Sequence, residues 1–207
     1  MEQYAAGIVL YNPDIKRLKE NLDAVCKQVK WVYCYNNGLR NDSEVGTLLN
    51  TYDNIQLIGT GTNDGIATAL NELVKKAEKE GIEWILTLDQ DSVVCDGMVE
   101  ALAALKDEKD VAIICPVIED VRRKNEKPAI AINTIDDVDF CITSGSFMNV
   151  QKTLEIGGFD EWLFIGLVDN EICYRVKLND YRIVRNNAVI LLSLIHISEP
   201  TRPLYIS

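Results

Sequence analysis

From Tyr4 to Ser92 the chain alternates between short apolar runs and stretches whose apolar residues recur at helical spacing, and this alternation limits the fold more than any other feature. Tyr4–Tyr11 (YAAGIVLY) reads as a buried strand and Asn12-Pro13-Asp14 as its exit turn, with Pro13 at the first helical position. Ile15, Leu18, Leu22, Val25 and Val29 then form the apolar face of a helix. Trp31–Tyr35 makes a second strand, Asn36-Asn37-Gly38 a turn that accepts positive φ, Asp42–Thr51 a weaker helix, and Ile55–Gly59 a short third strand. Strands that alternate with helices pair in parallel, because a parallel neighbour needs a long crossover connection. The expected class is α/β, with a mostly parallel central sheet flanked by helices.

The fourth strand, Trp84–Asp89, opens the segment WILTLDQDS and ends abruptly in two acids separated by one residue. Ligands of open α/β sheets gather at the carboxyl ends of the strands, and two carboxylates there repel unless something positive lies between them. A divalent cation answers both points. Mg²⁺ or Mn²⁺ takes hard oxygen ligands, commonly one or two carboxylates plus the phosphates of a substrate. Asp89 and Asp91 therefore read as a handle for a nucleoside diphosphate. The alternative is a solvated turn in which Asp91 and Ser92 cap the next helix.

Before that strand, Gly59–Gly65 (GTGTNDG) is a polar, flexible loop leading into a helix carried by Ile66, Leu70, Leu73, Val74 and Ala77 and ending near Gly81. Such a loop can present backbone N–H groups to an anion, but it lacks the Lys-Ser/Thr of a P-loop and the full GxGxxG spacing, so the signal is weak and loop flexibility is the favoured account. After it, Met98, Ala101, Leu102 and Leu105 mark a helix, and Val111–Cys115 a fifth strand stopped by Pro116. The charged segment Arg122–Lys127 reads as an exposed hairpin or mobile loop. Cys141–Ser146 and Phe147–Val150 return to apolar and small residues, which let a ligand or a second backbone come close. Trp162–Gly166 is an apolar patch, either core or a binding wall, and Tyr181–Val184 a last strand. Asp169 stands where an N-cap belongs, ahead of a helix in which Ile172, Cys173 and Val176 share a face and Glu171 pairs with Arg175 at i, i+4. The cap is the favoured local reading of Asp169, although one carboxylate can both cap a helix and face a cleft.

Composition removes several classes. With 207 residues the chain can bury a full core as one large domain. A formal charge of −11 argues against nucleic acid as a partner, since phosphate backbones need a positive surface. Six cysteines fall in no CxxC spacing and only one histidine is present, which argues against zinc and for reduced thiols in a cytoplasmic setting. No run reaches the ~18 apolar residues of a transmembrane segment, so any membrane contact is expected to be peripheral, at the inner face, or to lie in sequence outside this chain.

With these pieces in order, the chain resembles the family 2 nucleotide-sugar glycosyltransferases of the GT-A fold, and within them the rhamnosyltransferase-like group. The matching segments are Gly7–Pro13 (GIVLYNP), Asn36–Gly38 (NNG), Asn63–Asn71 (NDGIATALN), Trp84–Ser92 (WILTLDQDS), Ile142–Ser146 (ITSGS), Gly157–Ile165 (GGFDEWLFI) and Val168–Arg175 (VDNEICYR). The resemblance implies a metal-dependent, inverting transfer from a nucleoside diphosphate sugar to a glycan or lipid-linked acceptor in cell-surface polysaccharide synthesis, with rhamnose from dTDP-rhamnose as the first expectation. It implies Asp89 at the donor ribose and metal, Asp91 as the direct metal ligand, and Asp169 as general base. Tyr11, Asn12, Asn36, Asn63, Gly65, Asn71, Asp89, Gln90, Ser144 and Gly145 are the implied nucleotide-sugar contacts. An attacking sugar hydroxyl needs a positioned acceptor for its proton, and a departing diphosphate needs its charge stabilised, so the residue types agree with the chemistry.

The chain departs from the family pattern at Asn36, where an aspartate often contacts the base, at Leu39, which replaces a serine, and at Gly166-Leu167, which replaces Asp-Tyr. The domain is expected over residues 1–192. Ser193–Ser207 fits neither the family nor a structural element and is expected to be a non-native readthrough, which discounts His196 as a metal ligand. Two rivals stand beside the transferase. One is a nucleotide-sugar binding domain without turnover. The other is a nucleotidyltransferase, which would bring a basic Gly-rich loop near the N-terminus, whereas Gly7–Asp14 has no lysine or arginine.

Overall fold

A computed structural model of the chain describes residues 3–120 and 134–193. The first part alternates as its periodicity requires: β1 (Ala5–Leu10), α1 (Ile15–Val25), β2 (Trp31–Asn36), α2 (Asp42–Leu49), β3 (Ile55–Ile58), α3 (Ile66–Lys79) and β4 (Trp84–Asp89). Then come α4 (Met98–Ala103), β5 (Val111–Asp120), β6 (Ile135–Asp137), β7 (Phe147–Asn149), α5 (Val150–Glu155), α6 (Val168–Leu178) and β8 (Arg182–Ser193). One sheet holds all the described strands in the order β3-β2-β1-β4-β7-β5-β8-β6. β3, β2, β1 and β4 are mutually parallel, and β5 is parallel to β8. β7 runs antiparallel between β4 and β5, and β6 antiparallel to β8 at the edge.

Strand periodicity divides the core between the two faces of this sheet. Ile8, Leu10, Val32, Cys34, Trp84, Leu86 and Leu88 point to the face covered by α1, α2 and α4. Val9, Tyr33, Tyr35 and Ile85 point to the other, covered by α3, α5 and α6. Burying a Leu or Val side chain stabilises by roughly 1.5–3 kcal/mol, so Leu73 and Val74, both fully buried, anchor α3 firmly. α3 lies close to β1 because Gly7 has no side chain there. A Cβ on Gly7 would meet Leu73 Cδ1 at 3.1 Å.

Local expectations are corrected at three places. Pro13 precedes α1 instead of opening it, and Asp14 is the cap, its Oδ1 accepting from Arg17 N at 2.8 Å. Pro116 does not stop β5, which continues to Asp120. It pairs with Asn186 just before a register shift, beyond which Val117 faces Ile190. A bulge at this point lets the strand carry a residue that cannot donate. The last strand is far longer than Tyr181–Val184, because β5 and β6 flank it on both sides and satisfy its backbone. The charged segment Arg122–Lys127 and residues 194–207, which include His196, lie outside the described residues, whereas Ser193, expected to begin the tail, ends β8. No described helix is long and apolar enough to cross a membrane.

Candidate active site

Because β1, β2 and β4 run the same way, their carboxyl ends share one edge: Leu10 is level with Asn36, and Val9 with Asp89. Side chains from α1 and a neighbouring loop fix the backbone of the acidic segment. Asn21, fully buried on α1, donates Nδ2 to the Asp89 carbonyl at 2.8 Å, and Arg17 Nε donates to the Asp91 carbonyl at 2.7 Å. Gln90 brackets Tyr11, accepting from its N–H at 2.9 Å and donating to its carbonyl at 3.2 Å. Asp91 and Ser92 do not cap α4, whose cap position is Gly97 in the left-handed region. Ser92 instead bonds Ser144 Oγ at 2.8 Å.

That serine belongs to a loop laid across β4. Gly145 N donates to the Thr87 carbonyl at 2.7 Å, Thr87 N to the Ser146 carbonyl at 2.9 Å, and Thr87 Oγ1 to the Thr143 carbonyl at 2.5 Å. Ser144 Oγ accepts from Asp89 N at 3.0 Å. Gly145 is required here twice over: its φ is +89°, and a Cβ would lie 2.7 Å from Leu191 and 3.0 Å from Pro116. The adjacent Thr143 N–H donates to Asp169 Oδ1 at 2.9 Å. The cap reading of Asp169 is thereby overturned. The cap position of α6 is Leu167, at φ +59° and without a side-chain cap bond, and Asp169 lies inside the first turn with its carboxylate held by the loop.

The charges of Asp91 and Asp169 both act on Asp89. The Asp89 carboxyl is pushed up to about 6, first by loss of hydration amid the surrounding protein, then by the charges of Asp91 and Asp169, against an opposing hydrogen bond with Ser144. Its side chain keeps an open face toward solvent, so it lies in a concave wall and not in the core. Dense protein on one side and water on the other are compatible, and solvent screening moderates the effect. The donors suit Mg²⁺ or Mn²⁺, being hard oxygens of like charge crowded together. Among the described residues no three His, Cys, Asp or Glu side chains form a self-sufficient metal site. A cation here would rest on Asp89 and Asp91 and complete its shell from phosphate or water.

The remaining expected contacts lie on loops of the same edge or behind it. Asn12, itself at φ +48°, accepts from Arg40 N at 2.7 Å and so ties the β1 loop to the β2 loop. Asn36 turns Oδ1 onto the N–H groups of Gly38 and Leu39, at 3.1 and 3.0 Å. Asn63 packs on Gly38 and accepts from Gly65 N at 3.3 Å. Gly65 lies against Phe164, whose carbonyl accepts from Ile66 N at 2.9 Å. Asn71 differs from these. It is buried, and its amide is consumed by Phe159 N at 2.7 Å, Phe159 O at 2.9 Å and Glu161 Oε1 at 2.8 Å. The apolar patch is split: Trp162 and Ile165 are 85% and 81% exposed, whereas Leu163 is half-buried and packs against the core, and Leu167, just past the patch, is 69% exposed.

Sequence reading overlooked Asn21, Asn37 and Thr143. Asn21 carried a signal, a polar residue on the helix face of Leu18, Leu22 and Val25. Asn37, which accepts from Asp64 N at 2.8 Å, reads in sequence as part of a turn and of the matching NNG segment, with no role of its own. Thr143 acts through its backbone, and no side-chain pattern reports that.

The family model described as glycosyl transferase family 2 matches residues 6–169. The chain belongs to this family. As a family 2 chain it is 30% identical over 186 residues to the dTDP-rhamnosyl transferase RfbF of Shigella flexneri, covering 82% of this chain and 62% of that protein. It thus spans less than two thirds of that relative. Among solved structures, residues 1–349 of S. aureus TarS superpose with a TM-score of 0.73 at 17% identity, over 91% of this chain and 60% of that TarS fragment. The mannosyltransferase PcManGT of Pyrobaculum calidifontis, in complex with GDP-Man and Mn²⁺, gives 0.76 at 14% identity over 95% and 58%. At such identities the likeness is one of fold, and the fold is the GT-A arrangement that the family implies.

Proposed function

We propose that this family 2 domain transfers a sugar from a nucleoside diphosphate donor to a glycan or lipid-linked acceptor, with inversion at the anomeric carbon. The observation that carries the reading is a pair of hydrogen bonds made by consecutive residues: Thr143 N–H to Asp169, and Asp89 N–H to Ser144 Oγ. Neighbouring residues of one loop thus bond both the Asp89 backbone and the carboxylate of the candidate base. Asp89 and Asp91 hold Mg²⁺ or Mn²⁺, a reading supported by the Mn²⁺ in the PcManGT structure and in that of GalNAc-T7 with UDP and GalNAc. The cation, when bound, stabilises the charge of the departing diphosphate. Asp169 takes the proton of the acceptor hydroxyl as its oxygen bonds the anomeric carbon and the bond to the diphosphate breaks on the opposite face. With no enzyme nucleophile, a single displacement inverts the centre.

Tyr11, Asn12, Asn36, Asn63, Gly65, Gln90, Ser144 and Gly145 frame the donor, whereas Asn71 holds a turn. The exposed Trp162, Ile165 and Leu167, shortly before Asp169, support an acceptor with an apolar part. dTDP-rhamnose is the donor to test first, on the likeness to RfbF.

The test is the thermal midpoint with dTDP, UDP and GDP, each with and without Mn²⁺. A ligand at about 100 times its Kd adds roughly 2.7 kcal/mol to stability. A rise that needs both Mn²⁺ and one nucleotide is expected, and Asp91→Ala removes it. No rise with any pair overturns the donor site. Asp169→Asn keeps the rise and lowers transfer by about 10²-fold or more, the usual worth of a positioned base. Undiminished turnover in that variant removes Asp169 from the mechanism, and nucleotide binding by the parent chain without transfer or donor hydrolysis returns the reading to a binding domain.

A further inference from the structure

The start of α6 is not held by anything local. Gly166 and Leu167 both have positive φ, +83° and +59°, and the cap position offers no side-chain acceptor to the first-turn N–H groups. A leucine in the left-handed region is costly and persists only where the surroundings impose it. The segment leading to it follows a turn with two further positive-φ residues, Gly157 and Gly158. Two side chains from different helices grip that turn. Arg175, on α6, donates Nη1 to the Ile156 carbonyl at 2.7 Å and Nη2 to the Gly158 carbonyl, while its fork holds Glu171, with Nη2 to Oε2 at 2.6 Å. Asn71, on α3, takes Phe159 by both its N–H and its carbonyl and adds Glu161.

We propose that Arg175 and Asn71 are positioning residues for Asp169: they fix the Ile156–Glu161 turn to α6 and α3, and so set where the uncapped first turn of α6 presents its carboxylate. Arg175 lies six residues after Asp169, on another side of the helix, and acts through the pose of α6 and not by touching the reacting atoms. A planar guanidinium is suited to this. It serves a carboxylate and two carbonyls at once, whereas an ammonium is a point charge with no such fork. The inference rests on the proposed role of Asp169 but has a readout that needs no turnover, the Thr143 N–H bonded to that carboxylate.

The experiment is amide hydrogen exchange on the full chain, comparing the parent with Arg175→Lys, Arg175→Met and Asn71→Ala. The Thr143 amide is expected to exchange at least about tenfold faster in each variant while the Ile8 and Cys34 amides of the central strands keep their protection. Unchanged Thr143 protection in Arg175→Lys overturns the proposal. So does a parallel loss at Ile8 and Cys34, which would make these residues general supports of the fold. Should Asn71→Ala fail to fold, the two Arg175 variants decide. Full transfer activity in Asp169→Asn is a separate result: it rejects the base assignment, whatever the exchange data show about the clamp.

Discussion

Asp89 shows how an ordinary residue is altered by where the fold puts it. Its carboxyl is pushed up to about 6 in the folded chain, from an ordinary value of 3.8, because loss of hydration and then the Asp91 and Asp169 charges disfavour the anion. Between those values the folded state holds more protons than the unfolded one, so this group's contribution to stability falls as pH rises from about 4 to about 6 and is unfavourable at neutral pH. Asp89→Asn is therefore expected to raise the midpoint of the metal-free protein at pH 7, by about 2–4 °C for roughly 1 kcal/mol once solvent screening of the open face is allowed for. Near pH 3, below both values, the same substitution should change almost nothing. Equal gains at both pH values, read by thermal melts, would mean that the carboxylate is not strained by its neighbours. A cation has the opposite effect to Asp91 and Asp169, which is why a site that weakens the empty fold can suit a charged ligand.

At the scale of elements, β7 does more than its three residues suggest. It is the antiparallel seam between the parallel strands that end in Asn36 and Asp89 and the β5-β8-β6 group. Phe147, fully buried, opens it with its ring stacked on Trp84 at 5.2 Å and set edge-on to Tyr4 at 5.2 Å. Large-to-small substitution of a buried aromatic costs about 3–5 kcal/mol, so Phe147→Ala should shift the urea midpoint by a large fraction of the total stability. A loss below about 1 kcal/mol would show that the two parts of the sheet do not depend on this seam. The element also has a functional consequence. Entering β7 immediately after Ser146 forces the preceding loop to lie over Thr87, and that places Ser144 at Asp89 and Thr143 at Asp169.

At the scale of the whole molecule, a three-layer sandwich separates two tasks. The faces of the sheet carry the stability, with apolar side chains on both sides of every central strand. The carboxyl edge gathers the polar residues of the candidate site, several of them open to solvent. The sequence by itself determined the alternation from β1 to β4, the helix faces and the two acids at the end of β4. These are local: period 2 or 3.6 is written in neighbouring residues, and a strand's end is where its apolar run stops. The sequence pattern also carried the family, since segments such as NDGIATALN and WILTLDQDS keep their order. Only the tertiary structure decided that Pro116 lies inside a strand, that Asp169 is held by a loop and is not a cap, and that Asn71 belongs to the Phe159 turn. Each of these depends on partners far along the chain: Asn71 meets Phe159 across 88 residues, Ser92 meets Ser144 across 52, and Thr143 meets Asp169 across 26. Such bonds leave no periodic trace, because they are satisfied by backbone groups and small polar side chains that any loop could contain. What selects them is the requirement that buried donors and acceptors be paired once the sheet has closed around them.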